Sequence, residues 1–133
     1  MRFNNTKNTL NIGSFVLLTL VISITASHAE PIYYETKYPR GSGPHPAVIV
    51  LHTSSGFKTV RRQITRYTNA GYAVYAPDFF RRHGISMRNR FETWTTYKTK
   101  IEAELIEIVE LMKKDSLVDP KNIFAVGFSN GGY

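Results

Sequence analysis

The chain has 133 residues, of which 42% are apolar, enough for one small globular domain, and no internal repeat or low-complexity tract runs through it. Cysteine is absent, so no disulfide framework or thiol nucleophile is available and a packed core must hold the fold. The net charge of +7 rests largely on Arg61, Arg62, Arg66, Arg81, Arg82, Arg88 and Arg90; these lie among helix-spaced apolar residues with no nucleic-acid motif, so they read as a solvated helix face and nucleic acid is not an expected partner.

Residues 1–29 read as a signal peptide. A polar start with Arg2 and Lys7 precedes the apolar run Ile12 to Ile24, and Ser27 and Ala29 supply small residues before a cut at Glu30. The run is shorter than the roughly 18 apolar residues of a membrane-spanning helix. The expected product is a secreted or periplasmic domain, residues 30–133, with no stable membrane insertion after cleavage.

Ile32 to Tyr38 predicts a strand at a sheet edge, ended by Pro39, and a Gly- and Pro-rich turn follows. Ala47-Val48-Ile49-Val50-Leu51 is a continuous apolar run, the pattern of a parallel strand covered on both faces. From Thr59 to Asn69 the apolar residues Val60, Ile64 and Tyr67 recur at helical spacing, and Gly71 offers the left-handed conformation that ends a helix. Tyr72 to Ala76 predicts a second buried strand closed by Pro77. A long helix is expected from near Arg88 to Lys114, with the core stripe Trp94, Tyr97, Ile101, Leu105, Ile108 and Met112 and an i,i+4 pair of Glu110 with Lys114. Asp119-Pro120 then turns the chain into a buried strand, Ile123 to Val126.

This alternation of strand and helix implies an α/β fold with a mostly parallel sheet between helices. Ligands in such sheets bind beyond the carboxyl ends of the strands, here His52 to Gly56, Pro77 to Phe80 and the turn at Ser129. That last turn is Gly127-Phe128-Ser129-Asn130-Gly131-Gly132. A serine in a G-x-S-x-G frame directly after an apolar strand is the pattern of a nucleophile elbow: the chain reverses sharply at Ser129, and Gly127 and Gly131 leave room for that close approach.

Three segments together resemble the dienelactone hydrolase family of the α/β-hydrolase superfamily: Pro46 to His52, Asn69 to Phe80, and Ile123 to Gly132. The resemblance implies an α/β-hydrolase-like three-layer sandwich, truncated after the elbow, and a small-molecule ester or lactone as substrate, with no metal and no cofactor. Two positions depart from the family. Dienelactone hydrolases carry cysteine at the elbow, where Ser129 stands here, and commonly a glutamate after the first strand's terminal residue, where Thr53 stands. Both departures point to serine ester chemistry. Prolyl oligopeptidase-like peptidases share the elbow form and are the alternative, along with a non-catalytic binding module.

The resemblance further implies that Ser129 Oγ attacks an acyl carbonyl and that backbone N–H groups of Asn130 and Ser54, or Thr53 if the loop is offset by one, hold the oxyanion. A serine nucleophile needs a His base and an acid that follow it in the chain order of this fold. After Ser129 come only Asn130 to Tyr133. The chain is therefore expected to be the N-terminal part of a hydrolase, inactive by itself, with the elbow strand at the sheet's edge. Upstream, His52 is expected to shape the oxyanion loop, His83 to sit in a loop among arginines, and Asp78 to order its turn by accepting backbone N–H bonds.

Overall fold

The computed structural model describes residues 31–133, so the expected signal peptide and its cleavage point lie outside the described residues. Four strands form one sheet in the order β1-β3-β2-β4: β1 Tyr34–Lys37, β2 His45–Leu51, β3 Ala73–Pro77 and β4 Val118–Gly127. β2 pairs in parallel with β3 and β4, while β1 runs antiparallel along β3. Parallel neighbours need long crossovers; these carry the helices α1 (Arg61–Asn69), α2 (Phe79–Arg82) and α3 (Lys98–Lys114).

The alternation of side chains along a strand divides the core into two layers. On one face Val48, Val50, Val74 and Ala76 pack with Val60 and Ile64. On the other, Ala47, Ile49, Leu51, Ala73 and Tyr75 pack with Ile108 and Met112 of α3. The result is a three-layer α/β sandwich. β2 is buried on both faces from Ala47 to Leu51, which is why its sequence runs apolar without alternation. Among the described residues no helix is long and apolar enough to cross a membrane.

α1 meets its prediction closely: Val60 and Ile64 are buried, Arg61, Arg62 and Arg66 are exposed, and the chain leaves through Gly71 at φ 95°. Its first turn, Phe57–Val60, is a 3-10 turn. Thr68 is buried as well, and its hydroxyl donates to the Ile64 carbonyl at 2.7 Å, so no polar atom is stranded there.

Elsewhere the structure corrects the expectations. The long helix begins at Lys98 rather than near Arg88. In the ten residues before it, short side chains compete with the helix for backbone groups: Asn89 Oδ1 accepts the Ser86 N–H at 2.7 Å, Thr93 Oγ1 donates to the Arg90 carbonyl at 2.6 Å, and Thr95 Oγ1 donates to the Glu92 carbonyl at 3.2 Å. Glu110 pairs with Lys113 at 2.8 Å, one position earlier than expected. β4 starts at Val118, so Asp119-Pro120 lies inside the strand. The register with β2 jumps there from His45 opposite Val118 to Ala47 opposite Ile123. Asp119 closes this bulge by accepting the Lys121 N–H at 3.0 Å and the Asn122 side-chain amide at 2.7 Å.

β4 also differs from the buried strand that its apolar sequence predicts. Phe124 is 52% exposed and Ala125 is exposed, because β4 is the last strand of the sheet among the described residues. The edge position agrees with expectation; the burial does not. Arg82, finally, is no part of a solvated face. Its side chain is 7% exposed and pairs with Glu107 at 3.0 Å.

Candidate active site

The carboxyl ends of β2, β3 and β4 meet on one rim. β2 and β4 stay in register to the end, with Leu51 opposite Gly127, and the Phe128 N–H donates to the Leu51 carbonyl at 3.2 Å. The next residue, Ser129, sits at φ 52°, the one positive-φ residue other than glycine among the described residues. A left-handed conformation costs an L-residue about 1–2 kcal/mol, so the surrounding structure must hold it in place.

Two glycines do this by close contact. A Cβ on Gly127 would lie 1.8 Å from the Gly131 carbonyl oxygen, and a Cβ on Gly131 would lie 2.7 Å from the His52 carbonyl and 2.8 Å from that of Leu51. The turn after Ser129 is thus pressed against both β4 and the end of β2. A 3-10 turn, Ser129–Gly132, follows, and the Gly131 N–H donates to the Phe128 carbonyl at 3.0 Å. Gly132, whose Cβ would meet nothing closer than 3.5 Å, is under no such demand.

The loop after β2 lies beside the elbow. Within it Gly56 N–H donates to the Thr53 carbonyl at 2.9 Å, and the Thr53 N–H is taken by Thr59 Oγ1 at 3.3 Å. Among the described residues, the backbone N–H groups of Ser54 and Asn130 have no acceptor. Of the two loop positions weighed for the second oxyanion donor, Ser54 is therefore the one with an uncommitted amide.

His52 anchors this loop from below. It is fully buried, stacked on Phe79 at 3.9 Å between ring centres and met edge-on by Phe80 at 4.7 Å. Its Nδ1–H donates to the Thr53 carbonyl at 2.8 Å, and Nε2 faces Asp78 Oδ1 at 3.8 Å. Burial holds its pKa below the ordinary histidine value, against the opposing pull of the Thr53 carbonyl and the Asp78 charge. Both ring nitrogens are turned to groups other than Ser129. Asp78 caps α2 by accepting the Arg81 N–H at 3.2 Å, the turn-ordering role expected of it.

His83 is tied down rather than loose among arginines. Its Nε2 lies 2.7 Å from Oε2 of Glu104, whose side chain is fully buried on α3, and a single proton sits between the two. Burial pushes the Glu104 carboxyl up to about 7, with Arg82 opposing the shift. Burial and the charges of Arg82 and Lys100 hold His83 below its ordinary value. On the same rim a cleft of about 750 Å³ opens between the start of β1 and the start of α1. Its walls include Tyr33, Phe57, Lys58, Arg61 and Ser55, and the Arg81 guanidinium lies 4.0 Å over the Tyr33 ring.

Residues 34–133 match the profile of the Dienelactone hydrolase family. The chain belongs to that family. Among solved structures it is similar to a Klebsiella pneumoniae protein assigned as a dienelactone hydrolase, with 21% identity and a TM-score of 0.65 over 75% of this chain and 45% of that one. It is also similar to the 2,6-dihydroxy-pseudo-oxynicotine hydrolase, with 20% identity and a TM-score of 0.52 over 76% of this chain and 27% of that one. At such identities the likeness carries the fold. The chain spans less than half the length of either solved relative. No curated protein matches it.

Two residues that touch the Ser129 turn, Thr93 and Trp94, are not singled out for it by the sequence. Helical spacing makes Trp94 part of a core stripe, yet its indole N–H donates to the Asn130 carbonyl, and Asn130 Nδ2 donates to Thr93 Oγ1 at 3.0 Å. A clue was present in the tryptophan itself, since a half-buried indole N–H requires an acceptor.

Proposed function

We propose that this chain carries the nucleophile and oxyanion half of a serine hydrolase that acts on small carboxylic esters or lactones. The observation that carries the reading is the backbone at Ser129. A positive φ on a serine, fixed by two glycines whose Cβ positions are filled by backbone, is costly for an ordinary turn and useful for one that must present its side chain above a sheet.

In this reading Ser129 Oγ bonds to the acyl carbon while a base removes its proton. The carbonyl π electrons move onto oxygen, and the N–H groups of Asn130 and Ser54 stabilise that oxyanion. Collapse expels the alkoxide, which takes the proton back, and water then releases the acyl group by the same two steps in reverse. One well-placed donor of this kind is worth about 3 kcal/mol at the transition state. The base is not supplied by His52, which is fully buried with Nδ1 donating to the Thr53 carbonyl and Nε2 turned towards Asp78, nor by His83, whose Nε2 is bonded to the buried Glu104. It and its carboxylate partner come from outside residues 31–133, in keeping with a chain that spans 45% of its solved relative. The polar and apolar segments of residues 1–29 support export to the periplasm or the medium.

A fluorophosphonate probe and p-nitrophenyl acetate test the proposal. The full-length protein is expected to label at Ser129 and to hydrolyse the ester, the Ser129→Ala variant to do neither. The 133-residue chain alone is expected to show no Ser129-dependent turnover. Turnover by that chain would refute the assignment of the base, and an unreactive full-length protein would favour a binding module.

A further inference from the structure

Asn130 is held from both ends by the segment that precedes α3. Its side-chain amide donates to Thr93 Oγ1 at 3.0 Å, and its carbonyl accepts the Trp94 indole N–H. Thr93 is fully buried and is itself fixed, because its hydroxyl proton goes to the Arg90 carbonyl at 2.6 Å. With that proton committed, the Thr93 oxygen can only accept from Asn130. Two hydrogen bonds in series therefore run from the turn at Arg90–Glu92 to the Asn130 side chain, and a third, from Trp94, holds the Asn130 carbonyl beside them.

The contacts act on the right bonds. The side chain branches from the Asn130 Cα and the carbonyl belongs to the following Asn130–Gly131 peptide, so the two bonds hold the Cα and the peptide after it, and only rotation about the Asn130 N–Cα bond is left to turn the Asn130 N–H. The N–H of the Ser129–Asn130 peptide itself has no acceptor among the described residues, and the positive φ at Ser129 gives the turn a reason to relax. Elsewhere the elbow is held by steric contact at Gly127 and Gly131, on either side of this peptide rather than on it.

We infer that Thr93 and Trp94 are positioning residues that clamp Asn130 so that its backbone N–H points at the oxyanion of the acyl transition state. The inference rests on the serine hydrolase reading. It also gives the ten residues before α3 a purpose: their local hydrogen bonds stop the helix early so that Thr93 and Trp94 reach across to the elbow, 37 and 36 positions away in sequence.

The test uses the full-length protein with Thr93→Val, Thr93→Ser, Trp94→Phe, Asn130→Ala and the Thr93→Val/Asn130→Ala double variant. Active sites are counted by fluorophosphonate titration, so kcat refers to folded enzyme only. Thr93→Val and Asn130→Ala are each expected to lower kcat about tenfold with KM unchanged, since misdirecting a catalytic group by a fraction of an ångström has effects of this order. The double variant is expected to lose no more than either single one, because both remove the same bond. The inhibition constant of a trifluoromethyl ketone, which forms an oxyanion on Ser129, should rise by the same factor as kcat falls. Thr93→Ser should restore both, and Trp94→Phe should lower kcat independently.

A purely structural role would lower the melting temperature and the titrated fraction while leaving kcat per site and the ketone's affinity at their original values. That outcome would overturn the inference. Should Thr93→Val fail to fold, Asn130→Ala, at a half-exposed position, tests the same bond. Absence of Ser129-dependent turnover in the unmodified protein would instead sink the hydrolase reading, and this inference with it.

Discussion

Glu104→Gln isolates the cost of the buried carboxyl behind the rim. In the folded chain this group is fully buried, has one unpartnered oxygen among the described residues, and has a pKa raised from 4.5 to about 7. A raised carboxyl pKa means that the folded state holds the proton more tightly than the unfolded state does. Stability is therefore lost as pH rises from about 4.5, and the loss is complete above about 7. Between pH 5 and pH 8 this difference weakens the folded state by roughly 2–3 kcal/mol. Glutamine carries no such titration. His83, whose pKa is lowered, makes the opposite contribution, in which stability falls as pH drops below 6.5. His83 lies 2.7 Å from Glu104, so the two groups titrate as a pair and the comparison reads the combined change of that pair. Urea unfolding of the two proteins at pH 5 and pH 8 reads the effect directly. The stability of Glu104→Gln relative to the unmodified chain is expected to improve by roughly 2–3 kcal/mol between those pH values, whatever the fixed offset of the substitution. A difference that stays constant to within about 0.5 kcal/mol would refute the claim that burial governs this carboxyl.

The elbow offers two further tests by urea unfolding. Gly131→Ala, which drives a Cβ to 2.7–2.9 Å from the backbone of β2, is expected to destabilise by about 1–3 kcal/mol, whereas Gly132→Ala, with nothing closer than 3.5 Å, should unfold at nearly the original midpoint; equal effects would show that the turn is not pressed against β2. Ser129→Gly and Ser129→Ala both remove the hydroxyl, but only glycine is at ease at φ 52°, so the glycine variant is expected to be the more stable by about 1 kcal/mol. The reverse order would mean that the positive φ carries no strain.

The elements that sequence reading placed well are those whose signal is local or doubly determined. The apolar run Ala47 to Leu51 can only be a strand buried on both faces, and it is one. The spacing of Val60 and Ile64 with Gly71 beyond them fixes α1 almost to the residue. Errors gathered where competing interactions decide. The stripe through Trp94 and Tyr97 has helical spacing, yet the hydroxyls and amides of Ser86, Asn89, Thr93 and Thr95 bind nearby backbone first, and the helix waits until Lys98. Pro120 suggests a turn, but the strand absorbs it as a bulge because β2 continues to pair on either side.

By itself the sequence determined the class of fold and the sharp turn at Ser129, because strand runs, helix spacing and the G-x-S-x-G frame are set by residues adjacent along the chain. Tertiary structure alone decided that Ser54 rather than Thr53 keeps its amide uncommitted, that His52 is buried against Phe79 and Phe80 and His83 is bonded to Glu104, and that Thr93 and Trp94 reach Asn130. Each of these depends on which hydrogen-bonding group arrives first at a given donor or acceptor. That outcome follows from distances across the sheet and its crossovers, and no spacing along the chain encodes it.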